Sequence, residues 1–326
     1  MLKGLALTPP VIGRIAIGRV VEKAGRRLPE KDDEFTLTSQ VQNKEGWVPH
    51  PVDAQLRKEP GAKLRSIPVR LLFDDPDLNL RANYTMFDRA TGRPLCVGDG
   101  ESCKRVTLSG MQSLPCPSPA ICALAQDGNC KPYGRLHVRV EAEGNTEAGI
   151  TDMSGDELGS FVFRTTGFNS IRTLSARLRY LFAVSGGLLA GLPLELRLRG
   201  KSTTLSHRTP IYYVDLTLRA GSSLAQVVAL ARQEREQQAA LGLDQAALDE
   251  AARQGLALGE FEESEEEGVE VVEEFYPDSD MDGDRGGGAT QAPAPISLRG
   301  KLHRKQEALG VRASATGDPG ASHAGV

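Results

Sequence analysis

The chain has 326 residues, of which 40% are hydrophobic, 25% charged and 5% aromatic. This length is enough for one large or two ordinary domains. No stretch approaches the roughly 18 consecutive apolar residues that a membrane span requires, and the N-terminal sequence MLKGLALTPPVIG lacks the apolar core of a signal peptide. We therefore expect a cytoplasmic protein that is globular for most of its length and has no membrane partner.

Charge divides the chain into two parts. The formal net charge is −4, but residues 260–326 carry 15 acidic and 6 basic side chains, which leaves a net charge of +5 on residues 1–259. That surplus is too dilute to identify a nucleic-acid-binding protein. The positive surplus is compatible with nucleic-acid binding if the arginines cluster on one face of the protein.

Residues 1–221 contain eight runs in which apolar and polar residues alternate, a pattern that predicts β-strands. Gly, Pro and Asp separate the runs. We predict an α+β fold whose β-rich domain is an antiparallel or mixed sheet that curls or packs on itself. The predicted strands are Ile12–Val21, Phe35–Ser39, Ile67–Phe73, Leu80–Phe87, Arg135–Val140, Phe161–Thr165, Leu194–Arg199 and Ile211–Leu218.

One predicted helix, at residues 169–184, interrupts the strands. Apolar residues recur there at helical spacing, Asn169 or Ser170 is suited to cap the N-terminus, and Gly186 follows the last turn. We expect the apolar stripe to pack on the sheet. Three arginines project elsewhere and are more typical of a solvated face than of a phosphate-contacting one: Arg172, Arg177 and Arg179.

The C-terminal third changes in composition. Residues 222–258 predict a helical segment, with an apolar stripe that includes Leu224 and Val228. This stripe either packs on the protein's own sheet or docks on a partner's helix. Residues 259–326 begin with a run of 12 acidic and no basic residues, from 260 to 282, and continue rich in Gly, Ala, Pro and Ser. They predict a disordered tail, because they cannot bury enough apolar surface to offset chain entropy.

All five cysteines lie between Cys96 and Cys130. An odd number in a cytosolic chain argues against a disulfide framework. Residues 95–132 show no convincing periodicity, and a structureless loop of that length calls for a reason. Thiolate ligation of Zn²⁺ supplies one. The predicted ligands are Cys103, Cys116, Cys122 and Cys130.

The cysteine spacing leaves other interpretations open. The four predicted ligands are separated by 12, 5 and 7 residues, without a CxxC pair. Cys96 is able to replace one of them, whereas His137 is a poor ligand because it sits in a strand pattern. The alternative to a metal is a loop with several reduced, partly buried thiols. If zinc binds to four thiolates its role is structural, since no open position remains for water.

Motifs that carry enzymatic chemistry are missing from the sequence. The five histidines are scattered, and no HExxH, GxSxG, Walker or GxGxxG sequence occurs. We predict that the protein is not an enzyme. Two other classes stay open: a metal-dependent hydrolase would need an open coordination site, and a DNA-binding accessory protein would need a basic face with stacking aromatic residues.

Five short motifs occur in a suggestive order. They are GRIAIGRV at 13–20, DEFTLT at 33–38, CKPYGRL at 130–136, FRTTGFNSIRTL at 163–174 and GGLLAGLPLELRLR at 186–199. In this order they resemble the recombination directionality factor-like family. Its members are phage and mobile-element proteins, some labelled only "hydrolase or metal-binding protein". The resemblance covers roughly residues 10–220.

The resemblance implies a role in site-specific recombination. Such a protein binds a large serine integrase on attachment-site DNA and shifts its reaction from integration towards excision, while the integrase carries out the DNA chemistry. Direct DNA contact by the accessory protein stays open. We expect the integrase contact on surface that the core does not need: the exposed side of the predicted helix, with Arg172 and Arg179, or the stripe with Leu224 and Val228.

Overall fold

A computed structural model describes most of the chain up to residue 276. The described residues are 10–23, 26–44, 46–57, 59, 61–125, 128–142, 151–152, 159–202, 204, 208–258 and 265–276. The predicted tail beyond residue 276 therefore lies outside the described residues. Within the described part, no helix has both the length and the apolarity that crossing a membrane requires.

All eight predicted strands are present, often longer than the sequence pattern indicated. They are β1 (Val11–Lys23), β2 (Arg26–Asn43), β4 (Ser66–Leu71), β5 (Leu80–Phe87), β9 (Lys131–Ala142), β11 (Ser160–Thr165), β12 (Leu194–Lys201) and β13 (Ile211–Leu218). Five further strands in the described part were not predicted. They are β3 (Gly46–Pro49), β6 (Pro94–Gly98), β7 (Ser102–Thr107), β8 (Gly110–Pro115) and β10 (Thr151–Asp152).

The sheet is mixed and forks at β9. Its main order is β3-β2-β1-β11-β9-β5-β6-β7-β8, and β4, β12 and β13 continue from β9 as a second branch. Leu136 pairs with Phe163 of β11 on one edge of β9 and with Leu80 of β5 on the other. Further along β9, Val140 pairs with Val69 of β4. The β1–β11 pair is parallel and the other pairs are antiparallel, so the predicted α+β class with a mixed sheet is confirmed.

The main hydrophobic core lies on one face of this sheet. Alternate residues of a strand point to opposite faces, so Leu136 and Val138 of β9 share a face with Phe161 and Phe163 of β11. These four side chains are almost completely buried, and they belong to one core cluster with Leu174 of the helix that covers them. The opposite face of the same strands is polar.

The described part contains six helices. They are α1 (Pro51–Leu56), α2 (Pro76–Asn79), α3 (Phe168–Ser185), α4 (Leu224–Ala240), α5 (Gln245–Leu258) and α6 (Glu265–Phe275). The helix predicted at 169–184 is α3, and it ends as expected at Gly186, which is left-handed with φ 73°. The predicted cap is wrong: the N-cap is Gly167, and the Ser170 hydroxyl accepts instead from the backbone N–H of Val214.

Two segments that we expected to lack regular structure contain it. The cysteine segment holds strands β6, β7 and β8, of which β7 and β8 carry polar residues on both sides, so the alternation is hidden there. The acidic segment holds α6, where the sequence predicted disorder. Val271, Val272 and Tyr276 supply the buried apolar surface that composition alone did not indicate.

Candidate functional site

Hydrogen-bonded strands bring the cysteines together. Cys96 of β6 pairs with Arg105 of β7, and Gly98 pairs with Cys103, so the two thiols are diagonal neighbours on one face of the ladder. Cys116 follows β8 directly, and its N–H donates to the carbonyl of Glu101 at 2.8 Å. A Cβ atom at position 98 would lie 2.8 Å from the Cys103 Cβ and 2.9 Å from the Cys116 Sγ, so the approach requires glycine there.

The cysteines lie near the guanidinium group of Arg105, which approaches two of them directly. Cys96, Cys103 and Cys116 form a buried contact cluster, and Cys122 and Cys130 are half-buried beside it. The Arg105 Nη2 atom lies 3.8 Å from the Cys103 Sγ and 4.0 Å from the Cys122 Sγ. The structure therefore gathers the four predicted ligands and also Cys96. His137 lies within β9, as its strand pattern indicated.

Burial favours the thiol form of two of these cysteines, Cys103 and Cys130. Burial, followed by a hydrogen bond with Cys96, raises the pKa of Cys103 to about 11, and burial raises the pKa of Cys130 to about 12. A hydrogen bond with Cys96 raises the pKa of Arg105. Among the described residues, no group of three or more His, Cys, Asp or Glu side chains has the arrangement of a preformed metal site.

The outer side of α3 carries both predicted arginines and two aromatic rings. Phe168 and Tyr180 are 55% and 56% exposed, and Arg172 is exposed between them along the helix. The Arg179 side chain is 70% exposed and lies 3.8 Å from the carboxylate of Asp77. Aromatic and arginine residues are the types that dominate binding energy at protein interfaces. This surface is suited to a macromolecular contact.

The α4 stripe has a different environment. Leu224 and Val228 are half-buried and pack against the main core, next to Val227, which is completely buried. Of the two interpretations of the stripe, these contacts favour packing on the protein's own sheet. The helix begins with a capping box, in which Ser223 and Gln226 satisfy each other's backbone N–H groups.

An ion-pair cluster near α3 was missed by sequence reasoning. Asp215 of β13 is buried and pairs with Arg177 at 2.9 Å and Arg199 at 2.6 Å. Burial raises the pKa of Asp215, but hydrogen bonds from Arg177 and Arg199 outweigh it, and the net pKa is lowered. Arg177 is thus a structural residue rather than part of the free α3 surface. Only the packing of α3 beside β13 reveals the pairing of Arg177 with Asp215, because 38 residues separate the partners.

A second missed feature is the polar face of the sheet, on the side opposite the main core. Arg14 shares this face with Val162, and Arg164, two residues further on, pairs with Arg135. Arg135 pairs in turn with Arg81 of β5. The arginines that the register places on this side are called the arginine face: Arg14, Arg70, Arg81, Arg135, Arg139 and Arg164.

The fold and these surfaces define an α+β protein with a cysteine-rich hairpin region and an exposed aromatic and arginine surface. The family model of Gp3-like, recombination directionality factor-like proteins matches residues 12–219. The chain therefore belongs to the recombination directionality factor-like family, as the motifs indicated, and its role is that of a recombination accessory protein. No curated protein and no solved structure matches the chain.

Proposed function

We propose that this protein binds a large serine integrase on its attachment-site DNA and shifts recombination from integration towards excision. Family membership supports the recombination role. The observation that carries the contact is the outer side of α3, where Phe168, Arg172, Arg179 and Tyr180 stand exposed on a helix whose opposite side is anchored in the core. A rigid helix with such residues is a suitable protein-docking element, because little conformational entropy is lost on binding.

Charge reversal on α3 tests this contact. Arg172→Glu with Arg179→Glu should weaken co-purification with the integrase encoded in the same element and reduce excision in a recombination assay. Loss of an interface arginine typically costs about 1–2 kcal/mol or more, so the pair should lower affinity by about tenfold or more. The melting temperature should not change, since both side chains are exposed.

Arg232 provides the matched control, because it is an exposed arginine on α4. Arg232→Glu changes the charge at another surface and should leave integrase binding intact. Equal loss in both variants would indicate a general charge effect and contradict docking on α3. A wild-type protein that neither binds the integrase nor changes its balance of integration and excision would contradict the function itself.

The cysteine cluster is the second part of the proposal. We propose that Cys103, Cys116 and Cys130 bind a structural Zn²⁺, with Cys122 as the fourth ligand and Cys96 as the alternative. The support is that strands β6 to β8 bring Cys96, Cys103 and Cys116 into contact, and that Arg105, which can donate hydrogen bonds to thiolates, lies beside Cys103 and Cys122. Zinc would hold together a hairpin region that lies at one end of the sheet order.

Metal analysis of single variants tests the zinc proposal. Protein purified without chelator should contain about one Zn²⁺ per chain, and Cys130→Ser should lose it together with a large fraction of its stability, because metal binding in such a segment is also folding energy. Comparing Cys96→Ser with Cys122→Ser identifies the fourth ligand. Metal-free wild-type protein, or unchanged melting of Cys130→Ser, would contradict the proposal.

A further inference from the structure

The acidic helix α6 lies on the arginine face. Glu270 and Glu274 both pair with Arg14 at 3.3 Å, and Glu270 also accepts a hydrogen bond from Gln42 at 3.0 Å. Lys131 donates to the carbonyl of Phe275 at the C-terminal end of the helix. A strongly acidic segment of the chain thus covers part of a strongly basic surface.

The apolar contacts of α6 are separate from the main core. Val271, Val272 and Tyr276 form a small cluster with Phe87 and Tyr133, and no residue of this cluster belongs to the main core. Phe87 and Tyr133 stand on the same face as the arginines. Removing α6 would therefore expose two aromatic rings between cationic side chains and leave the main core intact.

The position of α6 depends on two glycines. A Cβ atom at Gly268 would collide with the backbone carbonyl group of Gly92, and one at Gly92 would collide with the backbone of Gly268 and Val269. Neither collision can be relieved by rotating a side chain. The helix and the turn at residue 92 therefore touch backbone to backbone, and a single added side chain is enough to prevent the contact.

The charged groups in the contact between α6 and the sheet are less well stabilised than they would be in water. Burial raises the pKa of Glu270 and of Glu274, although Arg14 and Arg164 oppose the shift. Burial likewise lowers the pKa of Arg14. Each of these groups is thus more costly to keep charged at the contact than in water. A ligand whose anionic groups stay ionised and can bind arginine in a bidentate manner would fit the arginine face better.

We propose that the arginine face is a binding surface for single-stranded nucleic acid and that α6 competes with the nucleic acid for this surface. Phosphodiester groups would pair with the row Arg164, Arg135 and Arg81, which crosses three adjacent strands at a spacing of about 4.8 Å, and with Arg14, which lies on the next strand two residues out of line with that row. Unpaired bases would stack on Tyr133 and Phe87, which α6 now covers. A duplex offers the same phosphates but keeps its bases stacked internally, so it lacks the second contact.

The acidic helix is an addition to the matched region. The family model ends at residue 219, and α6 begins at Glu265, whereas the arginine face lies entirely between residues 14 and 164. The arginine face is therefore part of the family fold, and its cover belongs to the segment that follows. This arrangement goes beyond integrase binding, because it concerns another face of the molecule.

The test uses two full-length variants of α6. Gly268→Gln adds a side chain where α6 meets Gly92 and leaves the arginine face unaltered, and glutamine keeps the segment helical. Glu273→Gln introduces the same side chain at an exposed position of α6 and removes one negative charge there, so it controls for any gain in affinity that arises from a side chain or a charge change away from Gly92. Fluorescence anisotropy with a labelled 20-nucleotide single strand and with a 20-bp duplex measures binding across a range of salt concentrations.

Gly268→Gln should bind the single strand at least about tenfold more tightly than wild type and Glu273→Gln, because an intramolecular competitor acts at an effective concentration of about millimolar. Adding Arg135→Ala should weaken binding and reduce the salt slope by about 0.7. Equal affinity in all three proteins, or a preference for the duplex, would overturn the proposal. So would a lower melting temperature of the whole domain in Gly268→Gln, or binding of a peptide of residues 262–278 without binding of the single strand.

Discussion

The two faces of the central sheet are covered in different ways. On one face, α3 packs through apolar side chains that are almost completely buried, and α4 adds Val227 and Ala231 to the same core. On the other face, α6 rests on a small aromatic cluster and on ion pairs with Arg14. Burial of apolar surface stabilises the contact by roughly 25 cal/mol per Å². Burial of a charged group, in contrast, costs free energy because the group loses its hydration.

This difference indicates which helix the fold requires. Removal of α3 would expose the main core, so α3 is part of the folding unit. Removal of α6 would expose only a satellite cluster and would rehydrate several charged groups. The stability of the two contacts should therefore differ by several kcal/mol, and three measurements can break or sharpen the comparison.

The largest effect is expected in the main core. Leu136→Ala, in the middle of β9, should lower the free energy of unfolding by about 2–5 kcal/mol, because it removes a completely buried side chain and leaves a cavity. Denaturant titration measures this change. Leu230→Ala is the matched control, since Leu230 of α4 is 55% exposed and its loss should change stability by no more than about 0.5 kcal/mol. A similar loss of unfolding free energy in both variants would contradict the assignment of Leu136 to the main core.

A smaller effect is expected where α4 meets the core. Val228→Ser should lower stability by about 1 kcal/mol, because a half-buried side chain loses apolar contact and gains a hydroxyl group. The melting temperature should then fall by about 2–4 °C. Ala229→Ser, at the exposed neighbouring position, is the control. Unchanged melting of Val228→Ser together with weaker integrase binding would instead assign this stripe to partner docking.

The smallest effect is expected in the pH dependence of the contact between α6 and the arginine face. The raised pKa values of Glu270 and Glu274 mean that the seated helix binds protons more tightly than the free helix. The contact of α6 with the sheet should therefore be most stable below the ordinary glutamate pKa of about 4.3. It should weaken as the pH rises through the raised pKa values of the two glutamates. The charges that face these carboxyl groups are Arg14 and Arg164 on the sheet, and Glu273 is a neighbour on α6 itself.

Hydrogen exchange of residues 265–276 at several pH values, corrected for intrinsic rates, measures this dependence. Protection should decline towards neutral pH, while protection in α3 stays constant. Replacing both carboxyl groups, with Glu270→Gln and Glu274→Gln, should abolish the decline. Greater protection at higher pH would show that the ion pairs with Arg14 outweigh the cost of burying the charges.

Regular alternation made the sheet predictable. All eight strands found by pattern are present, and α3 ends at Gly186 as expected, because periodicity and a left-handed glycine are local properties of the sequence. The family motifs overlap these elements. The strands that bring Cys96, Cys103 and Cys116 into contact were not predicted, since short edge strands with polar residues on both sides carry no clear period, and metal ligation by the cysteines stays a prediction.

Only tertiary structure decided where the charged residues lie relative to each other. Arg14, Arg81, Arg135 and Arg164 are spread over 150 residues of sequence, and the register of four strands places them on one face of the sheet. The same holds for α6, whose composition predicts disorder but whose buried valines, with Tyr276, contact the aromatic side chains of Phe87 and Tyr133 on β5 and β9. Composition and periodicity determine which secondary structure a segment can form by itself. The register of strand pairing depends on contacts between distant segments, and it determines which surfaces those segments form together.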